Sequence, residues 1–115
     1  MPRIKEISVS DLARMLSKQE DHFDLIDVRT HAEIERGVLP NAMALAMHLV
    51  PLKLRFFAES PRQIVIYCRT GSRSAQVCRF LQKQGIVNVI NLRGGVVRWA
   101  SSGNPLSPQP DGKIS

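Results

Sequence analysis

Eleven residues, Ile64-Val65-Ile66-Tyr67-Cys68-Arg69-Thr70-Gly71-Ser72-Arg73-Ser74, leave this chain little choice of architecture. A β-branched apolar run stops on a cysteine, crosses a short loop of Arg, Thr, Gly and Ser, and enters a segment of helical periodicity from Ala75 to Gln84. That order reads as strand, tight loop, helix. In open α/β sheets ligands bind in the crevice beyond the carboxyl ends of the strands, so Cys68 falls where such folds keep their chemistry.

The surroundings of Cys68 point the same way. A thiolate is the reactive form of cysteine, and one placed at a helix N-terminus beside Arg69 and Arg73 ionises more readily than a free thiol. Gly71 lets the loop fold tightly, and the loop amides with the first free N–H groups of the next helix converge into an anion-binding nest. Nucleophile and anion cradle are thus predicted within Cys68, Arg69, Thr70, Gly71, Ser72 and Arg73.

The rest of the chain alternates strands with short helices. An edge strand is expected over Arg3 to Ser8, then a helix from about Asp11 to Gln19 with Ser8 and Asp11 spaced as a capping box. Phe23 to Val28 reads as a buried strand, and Thr30 caps a short helix from His31 to Arg36 that Gly37 closes. A strand over Met43 to Met47 and a helix from Val50 to Glu59, with Pro51 in its first turn, lead into the Cys68 strand. After the helix Ser74 to Gln84 come a strand over Ile86 to Ile90, a tight turn at Gly94-Gly95 and a last helix, Val96 to Ala100, anchored by Trp99.

This alternation predicts one α/β domain over residues 1–106, its mostly parallel sheet covered by helices on both faces. Residues 107–115, rich in Pro, Gly and Ser without an apolar pattern, are expected to form a mobile tail. Asp27 and Arg29 would lie at the same sheet edge as Cys68. The reading for them is structural: Asp27 accepts loop or helix amides, and Arg29 pairs with Glu33 while bracing the site. A carboxylate acting close to a thiolate would oppose its ionisation.

Composition excludes several classes. The longest uncharged run, Val38 to Leu52, is too short for a membrane span, and the N-terminus has no apolar signal core, so a cytoplasmic protein is expected. Two cysteines ten apart make neither a disulfide framework nor a metal site, and no cofactor is implied. Cys78 reads as a small core residue. The net charge of +6 hides an asymmetry: from Ser60 to Pro110 there is no Asp or Glu, while Arg62, Arg69, Arg73, Arg79, Lys83, Arg93 and Arg98 are all cationic. Such a field favours small anions and an acidic protein partner. Spread arginines and only 5% aromatic residues argue against nucleic acid.

Cys68-Arg69-Thr70-Gly71-Ser72-Arg73-Ser74 after a β-branched strand resembles the active-site loop of the rhodanese-type sulfurtransferases. Asp27-Val28-Arg29 with Glu33, the later Gly37-Val38-Leu39-Pro40-Asn41-Ala42, and Leu92-Arg93-Gly94-Gly95-Val96-Val97-Arg98-Trp99 are similar to further motifs of that family. The resemblance implies a persulfide on Cys68, a small sulfur-containing anion such as thiosulfate as donor, and cyanide, a thiol or a dithiol protein as acceptor. It also implies a bracing role for Asp27 and Arg29. Where the family usually carries a histidine, an aliphatic residue and Pro-Gly-Ala, this chain has Val38-Leu39-Pro40-Asn41-Ala42. Cysteine-dependent phosphatases place an arginine six positions after the cysteine; here that position is Ser74, and Arg73 is the fifth. The shorter loop suits one added sulfur better than a phosphoryl group. A sulfur carrier dedicated to one partner, or a non-enzymatic docking module, stands as the alternative.

Overall fold

The computed structural model describes residues 3–18 and 22–114. Its elements run β1 (Lys5–Ile7), α1 (Val9–Ser17), β2 (Phe23–Asp27), α2 (His31–Ile34), β3 (Met43–Ala44), a 3₁₀ segment (Met47–Lys53), α3 (Leu54–Glu59), β4 (Gln63–Tyr67), α4 (Ser72–Lys83), β5 (Val89–Leu92), α5 (Gly95–Ser101) and β6 (Gly112–Lys113). The strands form one sheet in the order β1-β5-β4-β2-β3-β6, and every neighbouring pair is parallel. Parallel neighbours need crossovers, which the helices supply on both faces. The α/β expectation holds.

The pleat divides the core in two. Along β4, Ile64 and Ile66 point to one face, where Phe57 of α3 and Val77, Cys78 and Leu81 of α4 cover them. Val65 and Tyr67 point to the other, against Leu12 of α1 and Val96 and Trp99 of α5. This period of two, buried on both sides, is why the central strands read as continuous apolar runs. Trp99 packs as expected, its indole N–H donating to the Pro105 carbonyl at 2.8 Å.

Several elements differ from the sequence reading. Helix α1 starts at Val9, two residues earlier than expected, directly after Ser8, whose side chain accepts the Asp11 amide as the cap; the expected end at Gln19 lies outside the described residues. The helix expected from Val50 is a 3₁₀ segment up to Lys53, whose φ of −121° breaks the run before α3 begins. The strand expected over Ile86 to Ile90 starts at Val89 instead. Gly85, at φ +84°, turns the chain so that the Ile86 amide bonds back to the Leu81 carbonyl, which spends Ile86 on closing α4. The expected mobile tail is pinned: Val38 and Ser107 exchange both backbone hydrogen bonds at 2.9 and 2.7 Å, Asp111 N–H donates to the Ala42 carbonyl, and β6 extends the sheet beyond β3. These are main-chain contacts, so the polar composition of the segment does not announce them. Among the described residues no helix is long and apolar enough to cross a membrane.

Candidate active site

β4 ends at Tyr67, and Cys68 opens the loop into α4 at the carboxyl edge of the sheet. Gly71 caps α4 at φ +105°, a conformation that other L residues rarely adopt. The loop's orientation is set from outside. At the start of α5 the Val96 amide takes the Cys68 carbonyl and the Val97 amide takes the Arg69 carbonyl, both at 3.0 Å. With these carbonyls drawn toward α5, loop amides turn inward to the sulfur. Gly95 permits the approach: a Cβ there would lie 2.5 Å from the Arg69 carbonyl oxygen and 2.6 Å from that of Cys68.

Cys68 Sγ accepts the Gly71 amide at 3.1 Å and the Ser74 amide at 3.4 Å, with Ser74 Oγ also at 3.4 Å. Burial pushes this thiol up, but the Ser74 hydroxyl and amide and the Gly71 and Thr70 amides outweigh it, leaving the thiol below its ordinary range. Backbone amides thus converge on the sulfur. Gly71 and Thr70 supply amides to it, whereas Ser72 opens α4 as an exposed residue and the Arg69 side chain is exposed. Cys68 itself is fully buried.

The bracing residues pair differently from the expectation. Arg29 does not pair with Glu33. Its Nε lies 3.0 Å from both oxygens of Asp27, one terminal nitrogen reaches Asp27 Oδ2 at 2.8 Å, and the same nitrogen bonds the Gly37 carbonyl at 2.7 Å. The Arg29 amide adds a fourth bond to Asp27. Both side chains are buried, and the guanidinium stands over the Tyr67 ring, whose hydroxyl accepts the Leu39 amide. Burial works to discharge Arg29, but the Asp27 carboxylate holds it charged. Burial, followed by the negative charge of Asp27, pushes the Tyr67 phenol up. All four of these bonds to Asp27 come from Arg29.

Glu33 takes Arg73 instead, each oxygen 2.8 Å from one terminal nitrogen. It also completes a capping box with Thr30, which fixes α2 and so aims the carboxylate. The Arg73 guanidinium draws Glu33 down to about 2, aided by Thr30 against burial. Arg73 therefore brings its charge to the loop already partnered.

Three participants escaped the sequence reading: Ser74, Asn91 and Glu6. Ser74 lies inside the motif, where the sequence suggests only a helix start. Asn91 joins the site from β5 and Glu6 from β1, and no local spacing connects them to Cys68. Cys78 lies in the core as expected, its thiol pushed up to about 12 by burial.

Comparison with known proteins agrees with this geometry. Residues 8–102 match the Rhodanese-like domain family. A protein named "Sulfurtransferase" from Allochromatium vinosum is 44% identical over 103 residues, covering 90% of this chain and 94% of that protein. The crystal structure of a rhodanese-like domain protein from Staphylococcus aureus superposes with a TM-score of 0.78 at 31% identity, covering 90% of this chain and 97% of the other. The fold also matches that of a thiosulfate sulfurtransferase from Pseudomonas aeruginosa, with a TM-score of 0.85 at 20% identity over 97% of this chain and 22% of the other. With the cysteine loop and the amides that line it in place, the chain belongs to the rhodanese-like domain family.

Proposed function

We propose that this protein is a sulfurtransferase that moves a sulfane sulfur through a persulfide on Cys68. The supporting observation is a sulfur atom ringed by donors, with the Gly71 amide at 3.1 Å, the Ser74 amide at 3.4 Å and no carboxylate bonded to it among the described residues. Such a ring stabilises a thiolate before the reaction and a persulfide anion after it.

With thiosulfate as donor, the Cys68 thiolate attacks the outer sulfur. A new S–S bond forms to Cys68 as the bond within thiosulfate breaks, and its electron pair leaves on sulfite. An acceptor nucleophile, cyanide in an assay or a thiol or dithiol protein in the cell, then takes the outer sulfur and returns the thiolate. No proton moves in the first step, so no general base is needed, and the two half-reactions give ping-pong kinetics. Arg69 and Arg73 supply positive charge at the mouth, with Thr70, Gly71 and Ser72 completing the loop that holds the donor. The acid-free stretch from Ser60 to Pro110 suits an acidic protein as acceptor. Two free cysteines fit the reducing cytoplasm.

The complete burial of Cys68 favours a second reading, in which one partner both opens the loop and exchanges the sulfur. Intact mass spectrometry after incubation with thiosulfate, beside Cys68→Ser and a reductant control, separates the two. One added sulfur, removed by reductant and absent from the variant, supports the small-donor enzyme. A protein that loads no sulfur leaves the partner-fed carrier.

A further inference from the structure

Behind the cysteine loop runs a hydrogen-bond chain that the sulfur chemistry does not by itself require. Ser74 is fully buried in the first turn of α4, with Oγ 3.4 Å from Cys68 Sγ and 2.5 Å from Asn91 Oδ1. Asn91, 2% exposed on β5, uses its other amide atom elsewhere: Nδ2 donates to Glu6 Oε2 at 2.9 Å and to the Gly71 carbonyl at 3.3 Å. A carboxylate and a carbonyl only accept, so the NH₂ group faces them and the amide oxygen faces Ser74. A serine hydroxyl carries one proton. Asn91 and the thiolate both reach for it.

We propose that Asn91 is a positioning residue for Cys68: it competes with the thiolate for the single Ser74 hydroxyl proton and so sets how much of that hydrogen bond the nucleophile receives. The 2.5 Å contact is short even for an O–H···O bond, whereas 3.4 Å is an ordinary length to sulfur, which favours Asn91. So does Glu6, because an amide whose N–H binds a carboxylate has a more electron-rich oxygen. Glu6 also blocks the flipped amide, which would set Asn91 Oδ1 against a carboxylate. The Gly71 carbonyl, 3.3 Å from Ser74 Oγ, is a weaker rival because it already accepts the Ala75 amide and Asn91 Nδ2.

The catalytic consequence rests on the persulfide reading. A donor withheld from sulfur leaves the thiolate more basic, and attack on a disulfide-type sulfur slows as thiol pKa falls, with a coefficient of about 0.4 to 0.5. The backbone amides keep Cys68 ionised, while Asn91 limits how far the hydroxyl further quiets it. The other charged groups that face the sulfur are Arg73 with its partner Glu33, from α4 and α2, and Glu6 on β1 behind Asn91. The substitutions below remove none of these charges, although replacing Asn91 also takes away the amide bond that Glu6 accepts.

The test is an ultraviolet thiolate titration of the full chain beside Asn91→Leu, Ser74→Ala and the double variant. Cys78, pushed up to about 12, stays silent through the Cys68 transition. Asn91→Leu should lower the Cys68 pKa by about one unit, the scale of one charge-assisted hydrogen bond. Ser74→Ala should then raise it by about as much when combined with Asn91→Leu, and by clearly less in the native background. Thiosulfate loading above the pKa should slow about threefold in Asn91→Leu. An unchanged or raised pKa in Asn91→Leu, or equal Ser74→Ala shifts in both backgrounds, overturns the proposal. If the leucine is not accommodated, Asn91→Ala removes the same acceptor without added bulk. The titration needs no sulfur donor, so failure to load thiosulfate refutes the small-donor enzyme and leaves this coupling measurable.

Discussion

Glu33 grips Arg73 with both carboxylate oxygens, each 2.8 Å from its nitrogen, across 40 positions of sequence. The pair ties the end of the cysteine loop to the helix that follows Asp27 and Arg29. It also gives the protein a pH signature.

The Glu33 carboxyl falls from an ordinary 4.5 to about 2 on folding. A depressed carboxyl contributes stability that is fully present above the unfolded value and is lost as pH falls through the folded one. The stability gap between the native protein and Glu33→Gln should therefore be widest above 4.5 and close toward about 2. The pair is about one third exposed at Arg73, so solvent screening limits the gap to about 1 kcal/mol. Urea midpoints across that range measure it, and a gap independent of pH would show that the pair contributes nothing through ionisation.

Gly95→Ala tests the outer frame of the loop. The added methyl meets two loop carbonyls at 2.5 and 2.6 Å from a backbone at φ +59°. Since neither carbonyl is the end of a flexible side chain, the loop must move, at a cost of about 2 kcal/mol or more. Thiolate titration should show Cys68 moving back toward an ordinary thiol as the amides swing off the sulfur. A Cys68 left unchanged would mean that α5 does not orient them.

Asp27→Asn separates bracing from proton transfer. The change leaves the buried Arg29 guanidinium without its counter-charge, which costs about 3 to 5 kcal/mol. Chemical denaturation should register that loss in full. A variant as stable as the native protein but unable to transfer sulfur would instead make Asp27 a participant in the reaction.

Removal of residues 107–115 takes away the Val38–Ser107 exchange, the Asp111 bond to Ala42 and β6. At about 1 kcal/mol for each net hydrogen bond, a loss of about 2 to 3 kcal/mol is expected. The Cys68 titration should stay where it is, because these contacts lie at the far edge of the sheet from β5. A truncation without effect on the urea midpoint would mean that the segment adheres without adding stability.

What could be read in advance was local. The strand-loop-helix unit around Cys68 carries its own punctuation, and Gly71 and the β-branched run before it suffice to place the cysteine at a sheet edge. Pairings between distant segments were opaque. Arg29 had two carboxylates within reach, and only the buried turn between β2 and α2 selects Asp27 over Glu33. Ser74, Asn91 and Glu6 meet because β1 and β5 are neighbours, with 85 positions separating Glu6 from Asn91. The two-residue strand β6 has no periodicity to detect, since its pairing uses main-chain groups that every sequence possesses.

The capture of two loop carbonyls by Val96 and Val97 also bears on how the chain emerges from a ribosome. A nascent chain that stops short of Gly95 already holds Cys68, both loop arginines and the whole of α4, yet has nothing to turn the carbonyls away from the sulfur. The geometry of the cysteine loop is thus completed by α5, some 27 positions further along, and not by the strand-loop-helix unit that carries the sulfur.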